Sequence, residues 1–272
     1  MRIAVITVAA GRHDHLRRQY AGLQAGRRRP DHHVVVAMGD PDIAGVPGRS
    51  SAATVVSVSA TTTGLPLATA RNAGARAADA ELLVFLDVDC IPGPGLLDRY
   101  EQAAQDPEHG AHLLCGPVHY LPPAPASGYD LQRLPELADP HPARPAPPDG
   151  VVLPGEHRLF WSLSFAVRST VWATVGGFCE DYVGYGGEDT DFAESAAAAG
   201  VGLRWVGGAT AYHQHHPVSQ PPVEHLDDVL RNGELFRRRW GWWPMQGWLE
   251  GFARLGLVRH DPRTDTWLRT AP

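Results

Sequence analysis

The sequence predicts an α/β fold with a doubly wound, mostly parallel sheet. Short, continuous apolar runs are typical of strands that are buried on both faces. Helix-like segments separate several of these runs, at the spacing of right-handed crossover connections. Two of the runs end close to Asp40 and Asp87, and ligands of such sheets bind at the carboxyl ends of the strands.

The first half, residues 1–120, alternates strands and helices and is predicted to bind a ligand at the carboxyl ends of its strands. The predicted elements are a strand at 3–8, a helix at 14–25 capped by Asp14, strands at 33–38 and 54–58, a helix at 67–80 and a strand at 81–86. The last strand runs directly into Asp87-Val88-Asp89, so both carboxylates lie at the ligand-binding edge.

The second half begins with a change of composition. Residues 121–157 are rich in proline, and such a long stretch indicates either a mobile lid or a disordered excursion. Residues 158–217 return to regular structure, with strands at 158–167 and 201–206 and a helix at 190–199 that Gly200 ends. Residues 218–272 form a C-terminal extension, with a surface helix at 222–240 and a Trp-rich tail suited to packing or to a homodimer contact.

Composition excludes several classes of protein. The chain has 272 residues, 43% of them hydrophobic and 20% charged, which is typical of a folded globular protein. The net charge of −6 disfavours a nucleic-acid-binding surface. All 24 basic residues are Arg, so Schiff-base chemistry and lysine-dependent phosphate loops are excluded. The three scattered Cys do not indicate a disulfide framework.

The N-terminal apolar run is short and lacks a cleavage site, so it is interpreted as a first core strand rather than a signal peptide. No apolar run approaches the ~20 residues that cross a bilayer. The sequence therefore predicts a cytoplasmic protein without a transmembrane segment.

Asp87 and Asp89 form the first candidate site. Two carboxylates one residue apart, at the end of a rigid strand, suit a hard divalent cation. The alternative is that both merely cap the helix that starts near Gly95. The buried strand before them and the proline turn after them favour the metal site.

The second candidate is the segment 184–192, GYGGEDTDF. Glu188, Asp189 and Asp191 crowd the first turn of a helix, where the helix dipole stabilises negative charge. Capping could explain Glu188 and Asp191, but it does not require the glycine pair, which lets a backbone or a ligand approach closely. A carboxylate held there could accept a proton from a substrate hydroxyl.

The third candidate is the segment 212–217, YHQHHP. His213 and His215 share one face of an extended strand, whereas a turn would bring His213 and His216 together. A solvated polar loop is the alternative. Beside a carboxylate metal site, one of these imidazoles becomes a credible further ligand.

The order FLDVDCIP, GYGGEDTDF and histidine cluster resembles the inverting GT-A glycosyltransferases of the family-two class. The ARNAG segment at 70–74 is similar to one that precedes the DxD strand in that class, and the second half resembles the galactosyltransferase-type module with its GWGGED signature. The resemblance covers about residues 1–217. It implies a Rossmann-like GT-A fold with a DxD motif and an acceptor-binding C-terminal portion. In this fold, residues 1–120 would be the nucleotide-sugar-binding half and residues 158–217 the acceptor and catalytic half.

The resemblance also implies a role for each matching position. Asp89 would bind the metal, Asp87 the donor ribose or the metal shell, and His213 or His216 would complete the metal site. Asp189 would be the catalytic base, assisted by Glu188 in binding the acceptor. The remaining donor contacts would be Val8, Ala9, Arg12, Asp40 and Arg71, and the remaining acceptor contacts Tyr182, Tyr185 and Gly187.

The expected function is a metal-dependent inverting glycosyltransferase. It would use Mn²⁺ or Mg²⁺ to move a sugar from a nucleotide-sugar donor, most simply a UDP-sugar, to an acceptor hydroxyl. Three alternatives are a catalytically inactive GT-A module that binds a sugar or a partner, a sugar-phosphate nucleotidyltransferase, and a metal-dependent hydrolase built on the histidine cluster. The last leaves the GGED segment unexplained, and the absence of Lys disfavours the second.

Overall fold

A computed structural model of the protein describes residues 1–46, 48–50 and 52–270. Its strands are β1 (Ile3–Ala9), β2 (His32–Met38), β3 (Ala53–Val58), β4 (Leu82–Leu86), β5 (Cys90–Pro92), β6 (Leu113–Cys115), β7 (Val118–Tyr120), β8 (Asp139–Pro140), β9 (Val152–Gly155), β10 (Ser164–Arg168), β11 (Leu203–Val206), β12 (Ala211–His213), β13 (Val258–Asp261) and β14 (Thr266–Arg269). Its helices are α1 (His13–Ala25), α2 (Leu67–Ala77), α3 (Leu96–Gln105), α4 (Leu134–Leu137), α5 (Ser169–Val175), α6 (Glu188–Ala198), α7 (Leu226–Trp240) and α8 (Gln246–Arg254).

An eight-stranded, mostly parallel sheet forms the centre, in the order β3-β2-β1-β4-β10-β6-β11-β9. Strands β1 to β4 are parallel, as predicted, whereas β10 runs antiparallel to both of its neighbours. Along β4, Leu83 and Phe85 pack into the core on one face, and Leu82, Val84 and Leu86 into the core on the other. Burial on both faces explains the continuous apolar runs.

A second sheet, in the order β5-β12-β7-β8, covers the ligand-binding edge. Strand β12 pairs antiparallel with β5, so that His213 lies opposite Cys90, the residue that follows Asp89. On its other side, His213 lies opposite Tyr120 of β7. This sheet therefore carries the histidine cluster to the Asp87-Val88-Asp89 turn.

The proline-rich segment is ordered. It contributes β8 to the second sheet and β9 to the edge of the central sheet, and Leu134 of α4 packs with Ile91 and Tyr212 in a small core of its own. The expectation of a disordered excursion is therefore wrong. Short pairings of this kind leave little periodicity in the sequence.

Three further differences are local. Arg12, with φ 55°, precedes α1, and Asp14 pairs with Arg17 instead of capping the helix. Helix α2 ends at Ala77 rather than residue 80. The strand predicted at 158–167 is a short 3₁₀ turn, His157–Leu159, followed by β10.

The C-terminal extension consists of α7, α8 and the β13–β14 hairpin; α7 contacts α6, α8 contacts Tyr185 through Trp248, and the hairpin packs on α7 and α8. Leu226, Trp243, Leu249 and Phe252 form its core. Trp243 donates through Nε1 to the carbonyl of Asp265, so this residue serves packing within the chain. Among the described residues, no helix combines the length and the apolar character needed to cross a bilayer.

Candidate functional site

A buried chain of hydrogen bonds, from His33 on β2 through Thr7 on β1 to Gln19 on α1, holds the backbone of the turn 87–89 in place. The Gln19 side-chain amide donates to the carbonyls of Asp87 at 2.8 Å and Cys90 at 3.1 Å. The Thr7 hydroxyl donates to Gln19 Oε1 at 2.8 Å, so it accepts from His33 Nε2 at 3.1 Å. Polar residues inside apolar elements are a weak signal, and the sequence did not reveal this support.

Asp89, His213 and His216 converge at the turn. One ligand atom from each lies within 4.8 Å of the others, and His216 Nε2 is 3.5 Å from Asp89 Oδ2. Burial lowers the pKa of His213 to about 4, so its imidazole is neutral near pH 7 and free to bind a metal. The turn suggested by the sequence, which would unite His213 with His216, is the one observed.

The donor set of one carboxylate and two imidazoles suits a divalent first-row transition metal, the class to which Mn²⁺ belongs. His15 supports this assignment: its Nε2 atom is buried, has no hydrogen-bond partner among the described residues and lies 3.8 Å from Asp89 Oδ1. Arg12 Nη1 also reaches Asp89 Oδ1, at 3.1 Å. Neither Asp87 nor Asp89 caps α3, because Gly95 precedes that helix without a side-chain cap.

Arg71 joins the two acidic segments. Its Nη2 atom lies 3.3 Å from Asp87 Oδ1 and its Nη1 atom 3.1 Å from Glu188 Oε1. Burial raises the pKa of Asp87, and the Arg71 charge offsets part of this effect. Arg71 was expected to contact the donor; the structure instead buries it, 3% exposed, between carboxylates of the chain itself.

Asp189 and Glu188 lie at the start of α6, next to this ion pair. Burial, followed by the neighbouring Glu188 charge, raises the pKa of Asp189 to about 7. Glu188 Oε2 is buried without a hydrogen-bond partner among the described residues, although Oε1 is bound to Arg71. A carboxylate that titrates near neutrality beside an unsatisfied acceptor is suited to binding and deprotonating a hydroxyl.

Asp191, by contrast, is structural. It is 1% exposed and accepts hydrogen bonds from the Tyr182 hydroxyl, from Arg239 Nε at 2.6 Å and from Trp240 Nε1 at 2.7 Å. Asp191 therefore fastens α6 to the end of α7. Its hydrogen bonds to Tyr182, Arg239 and Trp240 give Asp191 a structural role, rather than the helix capping that the sequence offered or a part in catalysis.

The glycines of the 184–187 loop allow α7 and the C-terminal extension to approach. Gly184 has φ 78°, and a Cβ there would lie 2.3 Å from Asp228 Oδ2. Gly187 has φ 92°, and a Cβ there would lie 3.1 Å from the Tyr182 ring, so this ring is its close neighbour. Asn232 of α7 donates to three carbonyls of the loop, those of Val183, Tyr185 and Gly186.

The two candidate acceptor tyrosines differ. Tyr182 is 2% exposed and bound to Asp191, so its predicted role as an acceptor platform is wrong. Tyr185 is 38% exposed, and its ring stacks on His225 at 4.4 Å and on Trp248 at 5.5 Å between centroids. The sequence assigned Trp248 to packing of the C-terminal segment or to a dimer contact, because nothing in it brings α8 next to residue 185.

The remaining donor candidates line the end of the parallel strands. Val8 and Ala9 are buried, so they offer a ligand their backbone rather than their side chains. Asp40 accepts from Gly11 N–H at 2.7 Å and from His13 Nε2 at 2.8 Å, and these bonds lower its pKa. Asp40 thus holds the loop that carries Arg12.

Two family descriptions match consecutive parts of the chain. "Glycosyl transferase family 2" matches residues 52–136, and "N-terminal domain of galactosyltransferase" matches residues 154–217. Two curated relatives, both named validoxylamine A glucosyltransferase, come from Streptomyces hygroscopicus subsp. jinggangensis and subsp. limoneus. Each is 30% identical over 160 residues, which cover 51% of this chain and 36% or 34% of the relative. The chain thus matches about a third of the length of these relatives.

Solved structures share the fold at low sequence identity. Residues 1–349 of Staphylococcus aureus TarS, also solved with UDP, superpose with a TM-score of 0.59 at 16% identity, covering 87% of this chain and 64% of TarS 1–349. GalNAc-T7 with UDP, GalNAc and Mn²⁺ gives 0.58 at 14% identity, covering 93% of this chain and 57% of that one. The chain therefore has the fold of the GT-A glycosyltransferases, with a segment that matches the family 2 description followed by a segment that matches the galactosyltransferase description.

Proposed function

We propose that the chain is a metal-dependent, inverting glycosyltransferase that moves a sugar from a UDP-sugar to an acceptor hydroxyl. One observation carries the proposal: Arg71 pairs with both Asp87 and Glu188, and so holds the turn that ends in Asp89 next to the start of α6. Asp189, whose pKa is raised to about 7, lies at that helix start. The UDP complex of TarS and the UDP and Mn²⁺ in GalNAc-T7 support the donor and metal classes.

One group of residues would bind the metal and a second group would bind and deprotonate the acceptor. Asp89, His213 and His216 would hold Mn²⁺ or Mg²⁺, which neutralises charge on the leaving diphosphate when bound. Asp189 accepts the proton of the acceptor hydroxyl while that oxygen attacks the anomeric carbon from the side opposite the diphosphate. Glu188 Oε2 accepts a second hydrogen bond from the acceptor. A single displacement of this kind inverts the anomeric configuration.

A donor screen tests the proposal. The protein is incubated with UDP-glucose, UDP-galactose, UDP-N-acetylglucosamine and GDP-mannose, with Mn²⁺ or with EDTA, and nucleotide release is measured. Slow release that requires the metal is expected, with UDP-glucose as the first donor to examine because the curated relatives are named glucosyltransferases. Nucleotide binding without release in any mixture would contradict the proposal and favour a binding module.

A further inference from the structure

A small recess opens at the same edge of the sheet as the candidate site. It has a volume of about 20 Å³, and its walls include His141, Arg144, Trp161, Ser164 and Trp205. Ser164 lies opposite Leu86, the residue before Asp87, in the β4–β10 pairing. Two of the walls, His141 and Arg144, come from the proline-rich segment, which no part of the proposed function uses.

Aromatic contacts connect the recess to the metal-binding histidines. The His141 ring lies 4.8 Å from the Trp161 ring and 5.6 Å from the Tyr120 ring, between centroids. Tyr120 in turn stacks on His213 at 4.9 Å. A ligand group in the recess would therefore be separated from His213 by the rings of His141 and Tyr120 only.

Arg144 presents unused hydrogen-bond donors at the recess. Its guanidinium carbon lies 3.6 Å from the centroid of the Trp161 ring, and Nη1 donates to the carbonyl of Ala143 at 3.3 Å. Its Nε atom is buried and has no hydrogen-bond partner within the described part of the chain. No carboxylate of the described residues lies within 4.0 Å of this guanidinium. Among the described residues, the guanidinium thus lacks the carboxylate that its Nε and Nη2 edge would bind through two parallel hydrogen bonds.

The charge of Arg144 is also poorly compensated. Burial lowers the pKa of Arg144, and the Asp189 charge is the largest effect in the opposite direction. A half-buried cation with an unpaired donor costs free energy unless a ligand supplies an acceptor. Trp205 Nε1, in the wall of the recess, is likewise buried without a partner.

We infer that the recess is an acceptor subsite for a carboxylate, in which the Nε and Nη2 edge of Arg144 binds the acid group of a uronic-acid-type acceptor. Trp161 covers one face of the guanidinium, so a flat group that approaches in the guanidinium plane fits best. The volume excludes a sugar ring, so the ring would lie outside the recess with its acid group directed into it. The inference rests on the proposed function, because Asp189 is taken to receive the acceptor hydroxyl.

Matched sugars test this inference by calorimetry, on protein loaded with UDP and Mn²⁺. The probes are methyl β-D-glucuronide against methyl β-D-glucoside, and methyl α-D-galacturonide against methyl α-D-galactoside, with glucose 6-phosphate as a phosphate probe. In at least one pair, the uronate is expected to bind at least about tenfold more tightly than its neutral partner. Arg144→Gln should remove this preference and leave the affinity for UDP with Mn²⁺ within about twofold, whereas Arg144→Lys should retain part of it.

Arg133→Gln is the matched control, because Arg133 lies in the same segment but is exposed and paired with Glu136. It should keep the full preference for uronates. The inference is wrong if neither uronate binds better than its neutral partner, if glucose 6-phosphate binds better than both uronates, or if Arg144→Gln keeps the preference. Equal weakening of acid and neutral sugars would also contradict it, and would assign Arg144 to tuning Asp189. Failure of the proposed function would show separately, as the absence of metal-dependent nucleotide release from every donor in the unmodified protein.

Discussion

Arg71 Nη1 donates a hydrogen bond of 3.1 Å to Glu188 Oε1, although 117 positions separate the two residues in the chain. Both side chains are buried, with 4% and 8% of their surface exposed. Because Arg71 also reaches Asp87, its single positive charge serves the two acidic segments together. The site therefore depends on one cation that touches neither the proposed metal ligands nor Asp189 directly.

Replacing Arg71 by Met should destabilise the protein, because Glu188 would remain buried, and Asp87 partly buried, without their partner. Loss of one member of a buried ion pair costs about 3–5 kcal/mol. The cost should shrink as pH falls, since protonation neutralises the stranded carboxylates. Urea unfolding at pH 8 and pH 5.5 measures both effects. In Arg76→Met, on the same helix but paired with Glu180 at the surface, the free energy of unfolding should change by less than about 1 kcal/mol.

The sequence could predict the parts of the fold that repeat a simple pattern. Strands β1 and β4 are uniformly buried and β2 is buried beyond its first residue, so their apolar runs are unmistakable, and the positions of Asp87 and Asp89 follow from where β4 ends. The resemblance to a known family indicated the residues of the second half that belong to the same site, among them Asp189, His213 and His216. Short strands such as β6 and β7 escaped prediction because three residues carry no measurable periodicity.

Contacts between distant segments could not be predicted from the same information. Nothing local to Asp191 distinguishes it from Asp189, yet Arg239 and Trp240 bind only Asp191. Trp248 reaches Tyr185 because α8 folds back onto the 184–187 loop. Such pairings depend on tertiary packing, which a single sequence states only indirectly.

The two metal-site histidines should differ from the histidine between them. His213→Ala and His216→Ala are each expected to weaken Mn²⁺-dependent binding of UDP by about tenfold or more, because each removes one ligand atom from the cluster. His215→Ala is the matched control, since that side chain is exposed and outside the cluster. Calorimetry with and without Mn²⁺ gives the affinities. Equal losses in all three variants would contradict the ligand assignment.

Turnover should require the ionised form of Asp189. Because its pKa is raised to about 7, kcat/KM should fall as pH drops below 7, approaching a tenfold loss for each further pH unit. Asp189→Asn should reduce turnover by about 10²–10⁴-fold, with UDP affinity in Mn²⁺ nearly unchanged. Steady-state rates between pH 5 and 9 test this. A profile in the unmodified protein that stays flat down to pH 5 would exclude Asp189 as the base.

Stability should fall in mild acid because of His33. Burial lowers the pKa of His33 to about 3, whereas an unfolded His has a pKa of about 6.5. Between these values the unfolded chain binds the extra proton, so this group removes up to about 1.4 kcal/mol of stability for each pH unit of acidification. His33→Gln should flatten the pH dependence of the free energy of unfolding by that amount.

His32→Gln serves as the control for His33, since His32 precedes it but lies only half-buried, with its Nε2 atom 2.9 Å from Thr54 Oγ1. The control should retain the steep dependence. If both variants follow the unmodified protein between pH 7 and pH 4, His33 is not the titrating group. Urea unfolding at half-unit pH steps provides the comparison.

Two aspartates two positions apart in the GGEDTD segment should respond in opposite directions to the same substitution. The folded protein holds the Asp189 pKa above its unfolded value of about 3.9, so ionised Asp189 costs stability at pH 8, and Asp189→Asn should add about 1–3 kcal/mol. Asp191 instead accepts charged and neutral hydrogen bonds from Arg239, Trp240 and Tyr182. Asp191→Asn leaves Arg239 without its buried counter-charge, and should remove about 2–4 kcal/mol. Urea unfolding of both variants at pH 8 measures the two changes in the free energy of unfolding. Changes of the same sign would contradict the assignment of a destabilising charge to Asp189 and a stabilising one to Asp191. Because the two aspartates share one helix turn, the comparison isolates the effect of their different neighbours.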